Sequence, residues 1–344
     1  MTPTSLTARA LVRAPARALR ATLARAHTAR ARSHRATRRP RPRASYDDID
    51  RELAAVRALP PSERPDALER ACGVVRASLR EMKARDAEAL WDTAAEALNA
   101  RRNIFPNELK RVLKAAPEQI AKPSDANDLK LIVTVTLVCS LLAVVVGATA
   151  PGDAGAFGAY LIGGIPIVVL AIGSTAPGLL RVATDRLARV DPEYRKRIAR
   201  HEAGHFLVGY ACGVPVGSYD LGIDQSHVNF MEGKLERKIF QGARLTEREV
   251  LPLAVISMAG VAAEALQYDE VMGQSADLFD LQRLLNRVEP KLSDAAQQEI
   301  TRWAVFQAAT ILTNNRSAFE ALTDKMLEGA SVVDCLKTIE SKRA

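Results

Sequence analysis

The sequence predicts a mostly α-helical, membrane-anchored chain. It comprises a helical N-terminal region, a two-helix transmembrane hairpin, and a helical C-terminal domain built on an HExxH motif with a short β element. Three observations predict this. Apolar residues recur at helical spacing through the polar parts of the chain. Two uncharged runs long enough to span a bilayer lie in tandem between residues 131 and 180. Residues 201–205 read His-Glu-Ala-Gly-His, in a chain with only five histidines.

Residues 1–44 are rich in Ala, Arg, Thr and Ser, with twelve arginines between Arg9 and Arg43 and no acidic residue before Asp47. Arg9, Arg13, Arg17 and Arg20 share one face at helical spacing, beside Leu11, Leu19 and Leu23. This composition is that of a mitochondrial or chloroplast transit peptide, and the missing apolar stretch excludes a secretory signal. The formal charge of +8 is concentrated there: without those twelve arginines, 36 basic residues face 40 acidic ones. A body near −4 is no polyanion binder, and the segment has no aromatics on which bases could stack, so no nucleic-acid partner is expected. The cysteines, Cys72, Cys139, Cys212 and Cys335, are far apart and form no CxxC pair, which excludes a cysteine zinc site and a disulfide framework.

Residues 45–122 predict a small helical bundle without a catalytic constellation. Leu53, Val56 and Leu59 mark one helix; Ala67, Leu68, Cys72, Val75, Leu79 and Met82 mark a longer one; Pro60, Pro61 and Pro65 separate them. The transmembrane hairpin follows at 131–180. Leu131–Ala150 carries no charge, Pro151, Gly152, Asp153 and Gly155 form a polar turn, and Ala156–Leu180 is a second uncharged run. Gly163, Gly164, Pro166, Gly173 and Pro177 predict a kink there, or two half-helices. Lys122 and Lys130 before the hairpin, and Arg181 and Arg186 after it, predict that both soluble parts face the same inner compartment.

In the C-terminal domain, Asp191 as N-cap and Pro192 in the first turn start the motif helix. Four residues advance a helix by about 400°, so His201 and His205 project from one face a turn apart, where two imidazoles can share a tetrahedral zinc ion. Glu202 is turned about 100° away from His201; in sites of this type that glutamate takes a proton from the water on the metal. Gly204 permits another element to approach the helix closely. A catalytic zinc ordinarily has a third protein ligand, and spacing leaves Glu264, Asp277, Asp220, Asp224 and Asp280 all open. His227 reads as a loop residue. Val214–Ile223 predicts a short strand able to bind extended substrate. Thr246 and Glu249 form a capping box opening a helix through about Leu266, and Ser275 is positioned to cap the helix carrying Asp277. Ser293–Leu312, Ser317–Glu328 and Ser331–Lys342 complete the domain, with Trp303 and Phe306 as core and Gly329 as a stop.

His201-Glu202-Ala203-Gly204-His205, followed by Ala259-Gly260, Ala262-Ala263-Glu264 and Gly273-Gln274-Ser275-Ala276-Asp277-Leu278, resembles the peptidase domain of the FtsH-type, AAA-linked zinc proteases, over residues 190–342. The resemblance implies that Asp277 is the third zinc ligand and that Glu264 lies near the site. Two features depart from the family. No G-x-x-x-x-G-K-[ST] loop occurs in the chain, and the stretch between Val214 and Phe240 diverges. The layout is similar to plant and algal plastid FtsH-like proteins that lack the AAA module, as are Arg302-Trp303-Ala304-Val305 and Val332-Val333-Asp334-Cys335-Leu336. It implies a membrane-anchored zinc endopeptidase without its own ATPase. Such an enzyme acts on protein or peptide substrates, either as a homo-oligomer or with an AAA-protease partner. It would sit in a chloroplast membrane, thylakoid or inner envelope, with its soluble parts in the stroma; the mitochondrial inner membrane is the alternative location. A non-proteolytic assembly or scaffold subunit that keeps the zinc fold is the alternative function. An intramembrane protease is disfavoured by Arg195, Lys196, Arg197 and Arg200, which directly precede the motif.

Overall fold

The computed structural model describes residues 45–60, 64–94, 98, 101–120, 126–176, 188, 191–222, 226–231 and 243–343. The expected transit peptide at 1–44, together with Lys122, Pro177, Arg181, Arg186 and Asp224, lies outside them. Among the described residues the protein is mostly helical, with two apolar helices long enough to cross a membrane and one small two-stranded sheet.

Helices α1 (Tyr46–Ala58) and α2 (Arg64–Arg85) pack against each other as a helical hairpin. Ser45 and Asp48 cap α1 reciprocally. Short helices α3 (Pro106–Val112) and α4 (Pro117–Ile120) follow. This region shares its core with the C-terminal domain rather than enclosing a separate one. Backbone amides of Asp92 and Ala94 donate to the carbonyls of Tyr210 and Ala211, and those of Lys114 and Ala115 to Ala265. Trp91, 1% exposed, rests on the Tyr210 ring at 5.1 Å between centroids.

Helices α5 (Ala126–Thr149) and α6 (Gly152–Thr175) pack on each other. Glycines make the contact: a Cβ at Gly147 would meet Ala159 at 3.4 Å, and one at Gly158 would meet Val146 at 2.9 Å. The expected kink is not a break. Pro166 sits inside a continuous α6, and Asp153 and Gly155 belong to its first turn, so the connection shrinks to Ala150–Pro151. Only 6% of each apolar stretch is buried, and Leu137, Leu141, Val144 and Ile167 stand exposed. That much bare apolar surface is a cost in water and none in hydrocarbon.

The C-terminal domain is arranged around α7 (Pro192–Ala211). Asp191 accepts from the Glu193 amide, with Pro192 at the first position, as the sequence predicts. The helix ends in a Schellman turn: Gly213, at φ +75°, donates to Tyr210, and Val214 donates to Gly209. From Ala199 to Ala211 nearly every residue is buried, because α7 is enclosed by the helices at Ala259–Ala265, Asp294–Asn314 and Arg316–Leu327 and by the sheet.

Strands β1 (Val216–Leu221) and β2 (Ser226–Phe230) form an antiparallel pair, with an irregularity at Gly217. Helix α8 (Glu247–Ser257) opens with the Thr246–Glu249 capping box. It does not run unbroken to Leu266: the chain bends at Met258 and resumes as α9 (Ala259–Ala265). The bend lays α9 along α7 at Gly204, where a Cβ would come within 2.7 Å of the Ala259 carbonyl and of Ala263. Helix α10 (Gln274–Leu285) starts after Gly273, so Ser275 lies inside the helix and is not its cap. Helices α11 (Asp294–Asn314, capped by Ser293), α12 (Arg316–Leu327) and α13 (Val332–Ser341, capped by Ser331) complete the domain. Gly329, at φ +73°, separates the last two. Trp303 is core at 1% exposure; Phe306 is half-buried under Arg102.

Candidate metal centre

Three of the candidate ligands converge. His201 and His205 on α7 meet Asp277 in the first turn of α10, and this buried group can hold a metal ion. The two Nε2 atoms are 3.2 Å apart, and Asp277 Oδ2 lies 3.3 Å from one and 3.4 Å from the other. Those edges suit a small tetrahedral cation, since bonds of about 2.0–2.1 Å place ligand atoms about 3.3–3.4 Å apart.

The hydrogen bonds on the far side of each ring decide what these atoms offer. His205 Nδ1 faces the Ile256 carbonyl at 2.8 Å, and a carbonyl only accepts, so Nδ1 carries the proton. His201 Nδ1 donates to Glu264 Oε1 at 2.9 Å. In the neutral rings both Nε2 atoms are therefore bare lone pairs, pointed at each other and at a carboxylate oxygen. Asp277 Oδ2 is buried without a hydrogen-bond donor. Facing lone pairs repel, and a shared cation removes the repulsion. With no cation, protons take that place. Burial is the largest influence on both imidazoles and works against their charge. Asp277, joined by Glu264 at His201 and Glu202 at His205, outweighs it and raises both pKa values. Burial likewise opposes the charged form of Asp277, but the two imidazoles hold it well below the usual carboxylate range.

Glu264 does not join the group. At 2% exposure it accepts four hydrogen bonds: from His201 Nδ1, Arg197 Nε (2.6 Å), and the amides of Met272 and Gly273 (3.0 Å each). One carboxylate thus orients the first histidine and secures the loop that delivers Asp277. These bonds hold Glu264 ionised against burial, which is the larger single influence. Two glycines fit the same histidine tightly. A Cβ at Gly260 or Gly273 would lie under 3.0 Å from the His201 ring.

Glu202, 5% exposed, borders the same open cleft of about 970 Å3 as the three candidate ligands. Strand β2 forms one wall of that cleft, and Val56 and Leu68 of the N-terminal hairpin also line it. The other proposed ligands lie elsewhere. Asp280 borders the cleft but pairs with Arg283 at 3.5 Å. Asp220 accepts from the Gly222 amide on β1. His227 is on strand β2 opposite Asp220, not in a loop; it lines the cleft without joining the ligand group. The basic run before the motif divides. Arg200, 7% exposed, forms a double hydrogen bond with Glu320 at 2.7 and 2.8 Å, and Arg197 stacks on Tyr268. Two of the four charges thus face inward, which sequence spacing did not separate from the solvent-facing pair. The roles of Ile256 and of the N-terminal side chains carry no sequence signal at all. The chain matches no family model, no curated protein and no solved structure.

Proposed function

We propose that the chain is a membrane-anchored, zinc-dependent endopeptidase of the FtsH type, acting on polypeptides without an ATPase of its own. The observation that carries the reading is the triangle of bare ligand atoms with Glu202 beside it on an open cleft. Two histidines and one carboxylate are a donor set suited to zinc, with a fourth position left for chemistry. Zinc bound there supplies Lewis acidity, making water easier to deprotonate and polarising a peptide carbonyl. Glu202 accepts the proton from the attacking water and passes it to the departing amine nitrogen. His201 and His205 are kept in the ligating tautomer by Glu264 and the Ile256 carbonyl. The cleft admits an extended chain, and β2 borders it with backbone groups suited to strand-like binding.

The anchor reading rests on the exposed apolar surface of α5 and α6. The acid-free, Arg-rich N-terminal segment supports an organellar location, and the resemblance to plastid FtsH-like proteins favours a chloroplast membrane with the catalytic domain in the stroma over the mitochondrial inner membrane. Substrates must arrive unfolded, or be delivered by a separate AAA partner.

The test is metal analysis of the purified chain together with cleavage of an unfolded protein by wild type and Glu202→Gln. About one zinc per chain is expected in both. Cleavage should fall by about 100-fold or more in the variant, the usual contribution of a general base. Equal cleavage by the two forms removes the role assigned to Glu202.

A further inference from the structure

Resting on the peptidase reading of the metal centre, we propose that the N-terminal helical hairpin selects the substrate. Val56 and Leu68, facing the same cleft as Val228 and Phe230, form an apolar subsite for one side chain of the bound polypeptide. The hairpin lies wholly outside the HExxH-bearing domain in sequence.

Four observations converge. Val56 of α1 and Leu68 of α2 are half-buried: one side of each packs on the core, and each borders the cleft that holds His201, Glu202 and Asp277. Val228 and Phe230 of β2, half-buried as well, border it from a different stretch of chain. The hairpin is also fixed to that strand's end, since the Cys72 thiol donates to the Met231 carbonyl at 2.6 Å and Met231 is fully buried. Finally, a two-stranded sheet has little stability of its own, so β2 keeps its position through such supports. Apolar side chains left facing a water-filled cleft are covered at a gain when a ligand brings an apolar group. The occupant is the polypeptide that runs past the metal group. In an extended chain every second side chain points the same way, so one of them can enter the subsite while the backbone follows β2.

The experiment uses the full chain in detergent micelles and a peptide library varied one position at a time. Cleavage is read for wild type, Leu68→Ala and Val56→Leu. Binding of fluorescent library peptides is read for the same variants in a Glu202→Gln background. Leu68→Ala enlarges the subsite and should shift preference at one position from Leu toward Phe or Trp by about tenfold. Val56→Leu narrows it and should shift the same position toward Ala or Val. Zinc content should remain at wild-type level in both. The opposite signs separate a subsite from a general loss of folding, which moves all positions together. Cleavage with an unchanged profile in both variants overturns the subsite and leaves the peptidase reading standing. Binding preferences that shift as described, with no cleavage by any form, support the subsite and overturn the peptidase reading. Peptides that bind no form of the protein overturn the subsite.

Discussion

At the floor of the cleft, His201 has a glycine close against its ring on two sides and a carboxylate on its Nδ1. Along the wall, Asn229 reaches Ser218 across a pair of strands five and six residues long. The floor is over-determined: Glu264 alone accepts four hydrogen bonds, tying α7, α9 and the start of α10 to one carboxylate. The wall instead depends on what packs behind it, chiefly Phe230 against Gly209 and the Cys72–Met231 bond. A site that must hold a cation at fixed bond lengths needs the first kind of construction. A surface that accepts varied polypeptides needs only the second.

The contrast breaks most visibly at Gly260. Alanine there puts a methyl carbon into the His201 ring from a backbone packed along α7, and neither side has room to yield. Gly260→Ala should weaken zinc binding by at least about 100-fold, because the ring and its tautomer-fixing bond move together. Chelator competition measures this directly. Zinc affinity at the wild-type level would mean the floor is as forgiving as the wall. Glu264→Gln comes next. The amide keeps the shape but supplies a donor where a donor already points, so some of the four bonds are lost. A fall of about 10–100-fold in zinc affinity is expected, with the helical circular dichroism retained.

Protons probe the same floor more gently. Both imidazoles have pKa values raised in the folded, metal-free chain above the ordinary 6.5. Their contribution to stability is therefore fully present below about pH 6.5 and is lost as pH rises through the raised values. A zinc ion taken up there would have to displace those protons. Its affinity should then fall by about tenfold or more per unit on acidification, beginning above pH 6.5 rather than below it. A titration flat between about pH 8 and pH 6 would show that the rings do not compete with the ion.

How much of this was legible beforehand follows the same division. The candidate ligand histidines, the Thr246–Glu249 capping box and the membrane-length runs depend on local spacing, and local spacing is written in consecutive residues; the Ser45–Asp48 box went unread. Asp277 stood among five acidic candidates until a resemblance singled it out, since it comes 72 residues after His205 and no local rule spans that distance. The bend at Met258 was invisible because an unbroken apolar pattern continues through it; it exists to bring α9 against Gly204. The N-terminal hairpin read as a separate bundle because its spacing reports that α1 and α2 have apolar faces, not which surface those faces meet. Trp91 gave no periodic signal at all, sitting in a turn whose partner, Tyr210, is on the motif helix.

The smallest expected effect belongs to the wall. Asn229 is exposed on the wall of the cleft, and its amide bonds Ser218 at 2.9 Å, whereas Tyr219 of the same strand pair meets Phe206 of α7 edge-to-face. Asn229→Ala removes one solvent-accessible hydrogen bond, whose loss water largely offsets. Thermal unfolding should register a change within about 0.5 kcal/mol, and zinc affinity should be unaltered. A large loss of zinc from this substitution would mean that the two strands help hold the ion. The floor and the wall would then be one construction, because strain entered at the rim would be passing through Phe230 and Gly209 into α7 and the histidines it carries.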